Sequence, residues 1–384
     1  VFFSYSVITE EEAGLFLTES ALAPEAAAHL AEEGVTLHPY EAVDGRISAL
    51  QPGQTVLINP ASVNYALCSR IPQGVKLKTG LNPTTELKAV KNAAEIACLR
   101  ESHRKDGVAM VKFLYWLKTH IGREEITEIS ASDYLEGLRR AQEHNLGLSF
   151  TTIAAYQENA AMMHYSATPE HYAVLQPRGF LLVDSGGQYL EGTTDITRTI
   201  VLGPVTAEEK KHFTAVLRGM LNLSRAKFLA GCTGINLDIL ARAPMWDMGI
   251  DYRCGTGHGV GFLLNVHEGP QGCRWKNNSA AQPAVLKPGM VTTDEPGIYL
   301  EGSYGIRTEN ELLCVEGEKN EYGQFLEFET ITYCPIDREA IDPARMLPEE
   351  KKALNAYHEM VCQKLSPSLT PEEAAWLREV TLPL

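Results

Sequence analysis

From Gly179 onward, apolar runs end repeatedly in glycine. Phe180-Leu181-Leu182-Val183 leads into Gly186-Gly187, and further glycine turns follow within residues 255–261 and 302–305. A helix loses roughly 1 kcal/mol for each internal glycine, so short apolar runs bounded this way read as buried strands joined by tight turns. The preceding stretch has another texture. After the break at Asn82-Pro83, Met110, Phe113, Leu114 and Leu117 fall at i, i+3, i+4 and i+7, which predicts a long helix with one inward face. Ser130-Ala131-Ser132-Asp133 reads as a capping box that opens a second helix, with Tyr134, Leu135 and Leu138 inward. Thr206-Ala207-Glu208-Glu209 repeats the device ahead of Phe213, Val216, Leu217, Met220 and Leu221. These stripes read as core. Hairpin-linked strands with helices laid outside predict an α+β domain.

Three parts are expected. Residues 1–82 alternate strand and helix patterns, with Thr55-Val56-Leu57-Ile58 set between Pro52-Gly53 and Asn59-Pro60, and an Ala- and Glu-rich helix over residues 21–33. This is a small α/β unit without a cluster of His, Cys and carboxylate. Residues 83–336 form the α+β domain. Residues 337–384 read as a polar helical extension, with Pro348 and Pro371 each followed by two glutamates at a helix start. The opening Val1-Phe2-Phe3-Ser4-Tyr5 reads as the middle of a strand, so the sequence is expected to be a fragment.

Composition excludes some classes. The net charge of -15 over 384 residues argues against a basic nucleic-acid-binding face. No run approaches the roughly 18 apolar residues that cross a bilayer, so no membrane partner is expected. The eight cysteines include no CxxC pair, which fits reduced thiols and a cytoplasmic setting.

Five potential metal ligands lie on the strand-rich half. Asp184 ends one apolar run, and Asp195 follows in Gly192-Thr193-Thr194-Asp195-Ile196-Thr197-Arg198. The glycines between them suit a hairpin that returns one carboxylate to the other. His258 lies in Gly255-Thr256-Gly257-His258-Gly259-Val260-Gly261, Glu295 in Asp294-Glu295-Pro296-Gly297, and Glu309 in Gly305-Ile306-Arg307-Thr308-Glu309-Asn310. Each alone is weak, because a carboxylate at a strand end is usually a turn former. The order Asp, Asp, His, Glu, Glu with these flanks is far more specific.

Together with Asn159-Ala160-Ala161-Met162-Met163-His164-Tyr165 and Leu264-Asn265-Val266-His267-Glu268-Gly269-Pro270, these stretches resemble the pita-bread metallopeptidases, and within them the long, three-domain aminopeptidase P branch. The resemblance runs across essentially the whole chain. It implies a pita-bread catalytic domain preceded by a truncated creatinase-N-like α/β domain, and a homodimer. Asp184, Asp195, His258, Glu295 and Glu309 would hold two divalent ions, with Asp195 and Glu309 bridging. One imidazole among oxygens favours a fairly hard ion, Mn²⁺ first, with Zn²⁺ or Co²⁺ as alternatives. The implied reaction is removal of the residue before a penultimate proline, with a water or hydroxide bridging the ions as nucleophile. Glu295 would also shuttle the proton, His164 and His267 would contact substrate, and Arg307 would orient ligand carboxylates.

One position departs from the pattern. Cys254, four before His258, stands where many relatives carry a histidine. It is either a tolerated small residue in a pocket wall or a residue that tunes substrate choice or oxidation sensitivity. Tyr299 lines the proline pocket or belongs to the core. The rival readings are a prolidase, a methionine aminopeptidase, and a metal-free peptide-binding module of the same fold.

Overall fold

A computed structural model describes residues 2–277 and 283–384. Contacts divide the chain into two units, Val1–Glu86 and Leu87–Leu384. The first holds a three-stranded sheet in which Ser4–Ile8 pairs antiparallel with Ala13–Leu17, which pairs parallel with Val35–Pro39. A separate parallel pair joins Thr55–Ile58 to Lys76–Thr79. The helix read over residues 21–33 starts at Pro24, whose fixed φ suits the first helical position, and runs to Glu32.

In the second unit the long helix Ala93–His120 begins at a capping box, where Asn92 caps Ala94 and Glu95 while Glu95 returns to the Asn92 N–H. Met110, Phe113 and Leu117 are fully buried on its inward face. Gly107 lies on this helix because a Cβ there would sit 2.2 Å from the Tyr333 carbonyl oxygen. The next helix is Glu128–Arg140, and its cap is Thr127 paired with Ser130, one turn earlier than the sequence suggested. Ser130 has the right chemistry but sits at N3, where it reaches back to the cap. Leu135 is buried, whereas Tyr134 is 39% exposed and stacks on Trp116 at 3.9 Å, so the inward stripe is narrower than expected.

The helices cover a strand system whose centre is Phe180–Ser185. This strand pairs antiparallel with both Ile196–Val201 and Ile153–Tyr156. Both its faces are buried: Phe180 packs with Phe213, Val216 and Ile306, while Leu181 and Val183 pack with Met110, Phe113 and Leu117. A four-stranded sheet carries Val291–Asp294 beside Asn310–Asn320, which pairs in turn with Gly323–Thr330. Two short hairpins, Gly257–His258 with Gly272–Cys273 and Gly297–Leu300 with Tyr304–Arg307, complete the frame.

The C-terminal helices Pro348–Leu365 and Pro371–Val380 belong to this unit. Leu354, Val361, Leu365 and Leu377 are fully buried in the same cluster as Phe213 and Ile298. The segment is polar on one side only.

Between the long helix and Glu128–Arg140 lies a fully buried ion pair. Arg139 donates through Nε to Asp106 Oδ1 at 2.7 Å and through Nη2 to Oδ2 at 2.9 Å, and the Tyr189 hydroxyl donates to Oδ1 at 2.8 Å. Removing one partner would strand the other charge. Asp106→Ala is expected to destabilise the chain by about 3–5 kcal/mol in urea unfolding, whereas Asp106→Leu with Arg139→Met is expected to recover most of that loss. Equal losses in the two variants would show that the cost lies in packing.

Candidate metal centre

The strand ends deliver the five predicted donors to one cleft of about 600 Å³. Asp184 is the penultimate residue of the central strand, and its register partner on the neighbouring strand is Thr197. The excursion through Gly187–Tyr189 and Gly192–Thr193 returns the chain so that Asp195 immediately precedes that neighbouring strand. His258 ends the Gly257–His258 strand, and Glu295 immediately follows Val291–Asp294. Glu309 lies between Tyr304–Arg307 and Asn310–Asn320. Glycine is required beside this site. A Cβ on Gly257 would sit 1.8 Å from the Thr293 carbonyl oxygen, so no other residue allows the His258 strand so close to the Glu295 strand.

One ligand atom each from Asp195, His258 and Glu309 lies within 4.8 Å of the others. His258 Nε2 is 3.5 Å from Asp195 Oδ2 and 3.4 Å from Glu295 Oε1, and His258 Nδ1 is 3.0 Å from the Gly259 carbonyl oxygen, which turns Nε2 toward the acids. Asp184 gives Oδ2 to Arg307 Nη2 at 2.5 Å and leaves Oδ1 buried without a protein partner. Arg307 also donates through Nη1 to the Tyr299 hydroxyl at 2.8 Å and through Nε to Thr197 Oγ1 at 3.1 Å.

The structure adds residues that the sequence reading did not single out. Thr197 Oγ1 accepts from Arg307 and donates to Glu309 Oε2 at 2.6 Å, so one hydroxyl passes the arginine's polarity to the acid. Thr293 Oγ1 accepts the His258 N–H at 3.0 Å and donates to Glu295 Oε1 at 2.9 Å. Fully buried Glu311 accepts the Asp195 N–H at 2.8 Å. Each lies two residues from a predicted donor, on the same face of an extended chain, and that period of two was the available signal.

His164, His267, Cys254 and Tyr299 line the same cleft. The His267 ring meets His258 edge-on with centroids 4.2 Å apart. His164 rides on a loop held from below by Glu128, which was also missed. This fully buried carboxylate accepts the Tyr156 and Ala173 N–H groups at 2.7 Å each, the Asn159 amide at 2.9 Å and the Tyr165 hydroxyl at 2.7 Å.

The electrostatics follow from burial. Loss of hydration pushes the carboxyls of Asp195 and Glu309 well above the ordinary range, and the neighbouring acids add to it. Burial also raises Glu295, against the pull of His258 and Arg307. His267 is lowered by burial and by His258 and His164, which favours a neutral ring. Burial, then Glu295, pushes the Cys254 thiol up to about 11, so it is protonated and lacks the character of a reactive thiolate. The orphaned Asp184 oxygen, the convergent donors and the excess of buried negative charge fit divalent cations. Four carboxylates and an imidazole, without thiolate, form an oxygen-rich set.

The description metallopeptidase family M24 matches residues 97–316, the C-terminal region of that peptidase family matches 324–384, and a creatinase/prolidase N-terminal domain matches 1–95. The protein named Probable Xaa-Pro aminopeptidase P from Pyricularia oryzae is 39% identical over 402 residues, covering 100% of this chain and 65% of that protein. Xaa-Pro aminopeptidase 2 of Mus musculus is 37% identical over 393 residues, covering 100% of this chain and 57% of that protein. The chain thus spans less than two thirds of the length of these relatives. The crystal structure of X-prolyl aminopeptidase from Caenorhabditis elegans, a cytosolic enzyme with a di-nuclear active site, superposes with a TM-score of 0.93 at 34% identity, covering 100% of this chain and 64% of that one. Xaa-Pro dipeptidase from Bacillus anthracis shares the fold, with a TM-score of 0.70 at 24% identity over 87% of this chain and 88% of that one. A creatinase-like N-terminal domain followed by an α+β pita-bread domain is therefore the architecture, and the chain belongs to metallopeptidase family M24.

Proposed function

We propose that this chain is a metal-dependent aminopeptidase that hydrolyses the bond between an N-terminal residue and a penultimate proline. The observation that carries the reading is the convergence of Asp184, Asp195, His258, Glu295 and Glu309 on one cleft that His164 and His267 also line. Aminopeptidase P relatives match the whole chain at 34–39% identity, whereas the Bacillus dipeptidase covers 87% of it at 24%, which favours this activity over that of a prolidase. Retention of all five donors favours an enzyme over a metal-free binding module. The five would hold two divalent ions, Mn²⁺ first. When bound, such ions supply Lewis-acid polarisation of the scissile carbonyl and activation of water.

The chain's own groups do the rest. Glu295 has Oε1 engaged by Thr293, and its raised pKa suits a carboxylate that takes a proton from the attacking water. The prolyl nitrogen carries no hydrogen in the peptide, so it must gain a proton to leave as an amine, and Glu295 returns the proton there. His164 and His267 contribute N–H donors toward the substrate. Arg307 holds Asp184 and, through Thr197, Glu309, so the donor set keeps its shape during turnover. A homodimer and a cytoplasmic setting belong to the same proposal; sedimentation and fractionation read them.

Activity is tested with metal-stripped chain given Xaa-Pro-Yaa, Xaa-Pro and Xaa-Ala-Yaa peptides, with and without Mn²⁺. Release of the first residue from Xaa-Pro-Yaa alone, only with metal, is expected; preference for the dipeptide would make the protein a prolidase. Glu295→Gln is expected to lower kcat by about 10²–10⁴ while its thermal transition in metal-free buffer stays near that of the parent.

The buried acids also give a signed pH dependence. Asp195, Glu295 and Glu309 have folded pKa values raised above their unfolded ones, so the metal-free fold binds more protons than the unfolded chain. Their stabilising contribution is complete below about pH 4 and falls as pH rises through the raised values. Added Mn²⁺ is therefore expected to raise the unfolding midpoint more at pH 7.5 than at pH 5. An equal rise at both would contradict the assignment of these acids as ligands.

A further inference from the structure

One cation of the cleft has no role in the reading above. Arg274 directly follows the Gly272–Cys273 strand, whose pairing with Gly257–His258 fixes its position. The chain beyond it is also anchored, since Trp275 meets Trp246 edge-on with ring centroids 6.0 Å apart. The Arg274 side chain lies across Gly255: a Cβ there would sit 3.2 Å from its Cγ and 3.4 Å from its Cζ. Glycine at 255 keeps that lane open along the cleft wall.

The second arginine of the cleft is fully engaged. Arg307 serves Asp184, Tyr299 and Thr197. Among the described residues Arg274 has no hydrogen bond or ion pair, yet it lines the cleft as an exposed residue. On the same wall Cys254 offers only a protonated thiol, a weak donor. The strong donor of that wall is therefore the guanidinium, whose planar fork matches a carboxylate.

The chain's own acids do not occupy that fork, and Arg274 is exposed, so its donors are open to an outside partner. A cleft of about 600 Å³ suits a short peptide. Such a peptide bears a positive amine at one end and a negative carboxylate at the other. The amine is drawn to the acidic donor set, which leaves the carboxylate for the cationic wall. We propose that Arg274 binds the C-terminal carboxylate of short Xaa-Pro-Yaa substrates, and so makes the enzyme prefer short peptides with a free acid end. The proposal rests on the aminopeptidase reading.

The test compares Xaa-Pro-Yaa as free acid and as C-terminal amide on the Mn²⁺-loaded 384-residue chain, its Arg274→Met variant and its Arg274→Lys variant. One charge-assisted pair predicts that the parent prefers the acid about tenfold in kcat/KM, with the difference in KM. Arg274→Met is expected to lose that preference with the amide unchanged, and Arg274→Lys to keep part of it. Equal slowing of acid and amide in Arg274→Met, or no preference in the parent, would overturn the proposal. Selective loss toward amides bearing an acidic Yaa would also overturn it and assign the arginine to side chains. Calorimetric titration of parent and Arg274→Met with Pro-Yaa acid and amide provides a readout without turnover. A parent that cleaves nothing but binds the acid more tightly through Arg274 would remove the aminopeptidase reading and leave the carboxylate site standing.

Discussion

Everything around the cleft answers one constraint: several carboxylates are held out of water within a few ångströms of one another. Asp195, Glu309 and Glu311 are 4%, 1% and 0% exposed, and Asp294 is also fully buried. A buried charge left alone costs several kcal/mol, so such a group either keeps its proton, as burial favours at Asp294, or is compensated by cations and donors. Arg307 supplies charge directly. Arg198 supplies it one layer out: fully enclosed, it donates to the carbonyl oxygens of Thr197, Glu309, Cys334 and Pro335, to Asn310 Oδ1 and to the Tyr357 hydroxyl. Its donors go to backbone and neutral side chains, with no carboxylate among them.

That arginine explains why the last helices matter. Tyr357 lies on Pro348–Leu365, and its hydroxyl, which accepts from Arg198, has its single hydrogen within reach of the Cys334 carbonyl oxygen at 2.8 Å, the Thr332 carbonyl oxygen at 3.1 Å and Asn310 Oδ1 at 3.2 Å. The C-terminal segment is thus tied to the strand that begins one residue after Glu309. A polar extension was the natural reading of a sequence rich in Glu and Lys. The fold instead uses the narrow stripe of Leu354, Tyr357, His358, Val361 and Leu365, spaced at i, i+3, i+4, i+7 and i+11, to seal the core behind the site. A stripe that narrow leaves composition polar and is visible only by spacing.

The five residues proposed as donors, which the structure brings to one cleft, stood out in the sequence because their flanks are distinctive, with glycines where backbones approach and prolines where strands stop. Their supports, Arg307 apart, did not, for a physical reason. Thr197 and Thr293 are β-branched residues in strands, the most ordinary of choices, and nothing in their type distinguishes a relay from a surface filler. Their position does. Thr197 is two after Asp195, Thr293 two before Glu295, and Arg307 and Glu311 two either side of Glu309. On an extended chain these share a face with the donor, so a period-two reading outward from each ligand recovers the inner frame. Glu128 escapes that rule. It acts from the first turn of a helix across 28 residues of sequence to Tyr156, and only the tertiary fold brings the two together.

Glu128 also separates two kinds of rigidity in the site. The donor set sits at strand ends, where ladder pairing fixes each carbonyl and N–H and little movement is open to it. His164 and His267 sit on loops, and both are exposed. Under the proposed activity both would be used: a donor set whose spacing is constant, and imidazoles with room to meet a bound peptide. Four hydrogen bonds from Tyr156, Asn159, Tyr165 and Ala173 to one buried carboxylate hold the His164 loop at both ends and at the residue next to His164, whose own side chain is exposed. Among the described residues the acid is compensated by donors alone, with no cation in reach of a hydrogen bond, so the anchor of the loop is a set of neutral donors on one carboxylate.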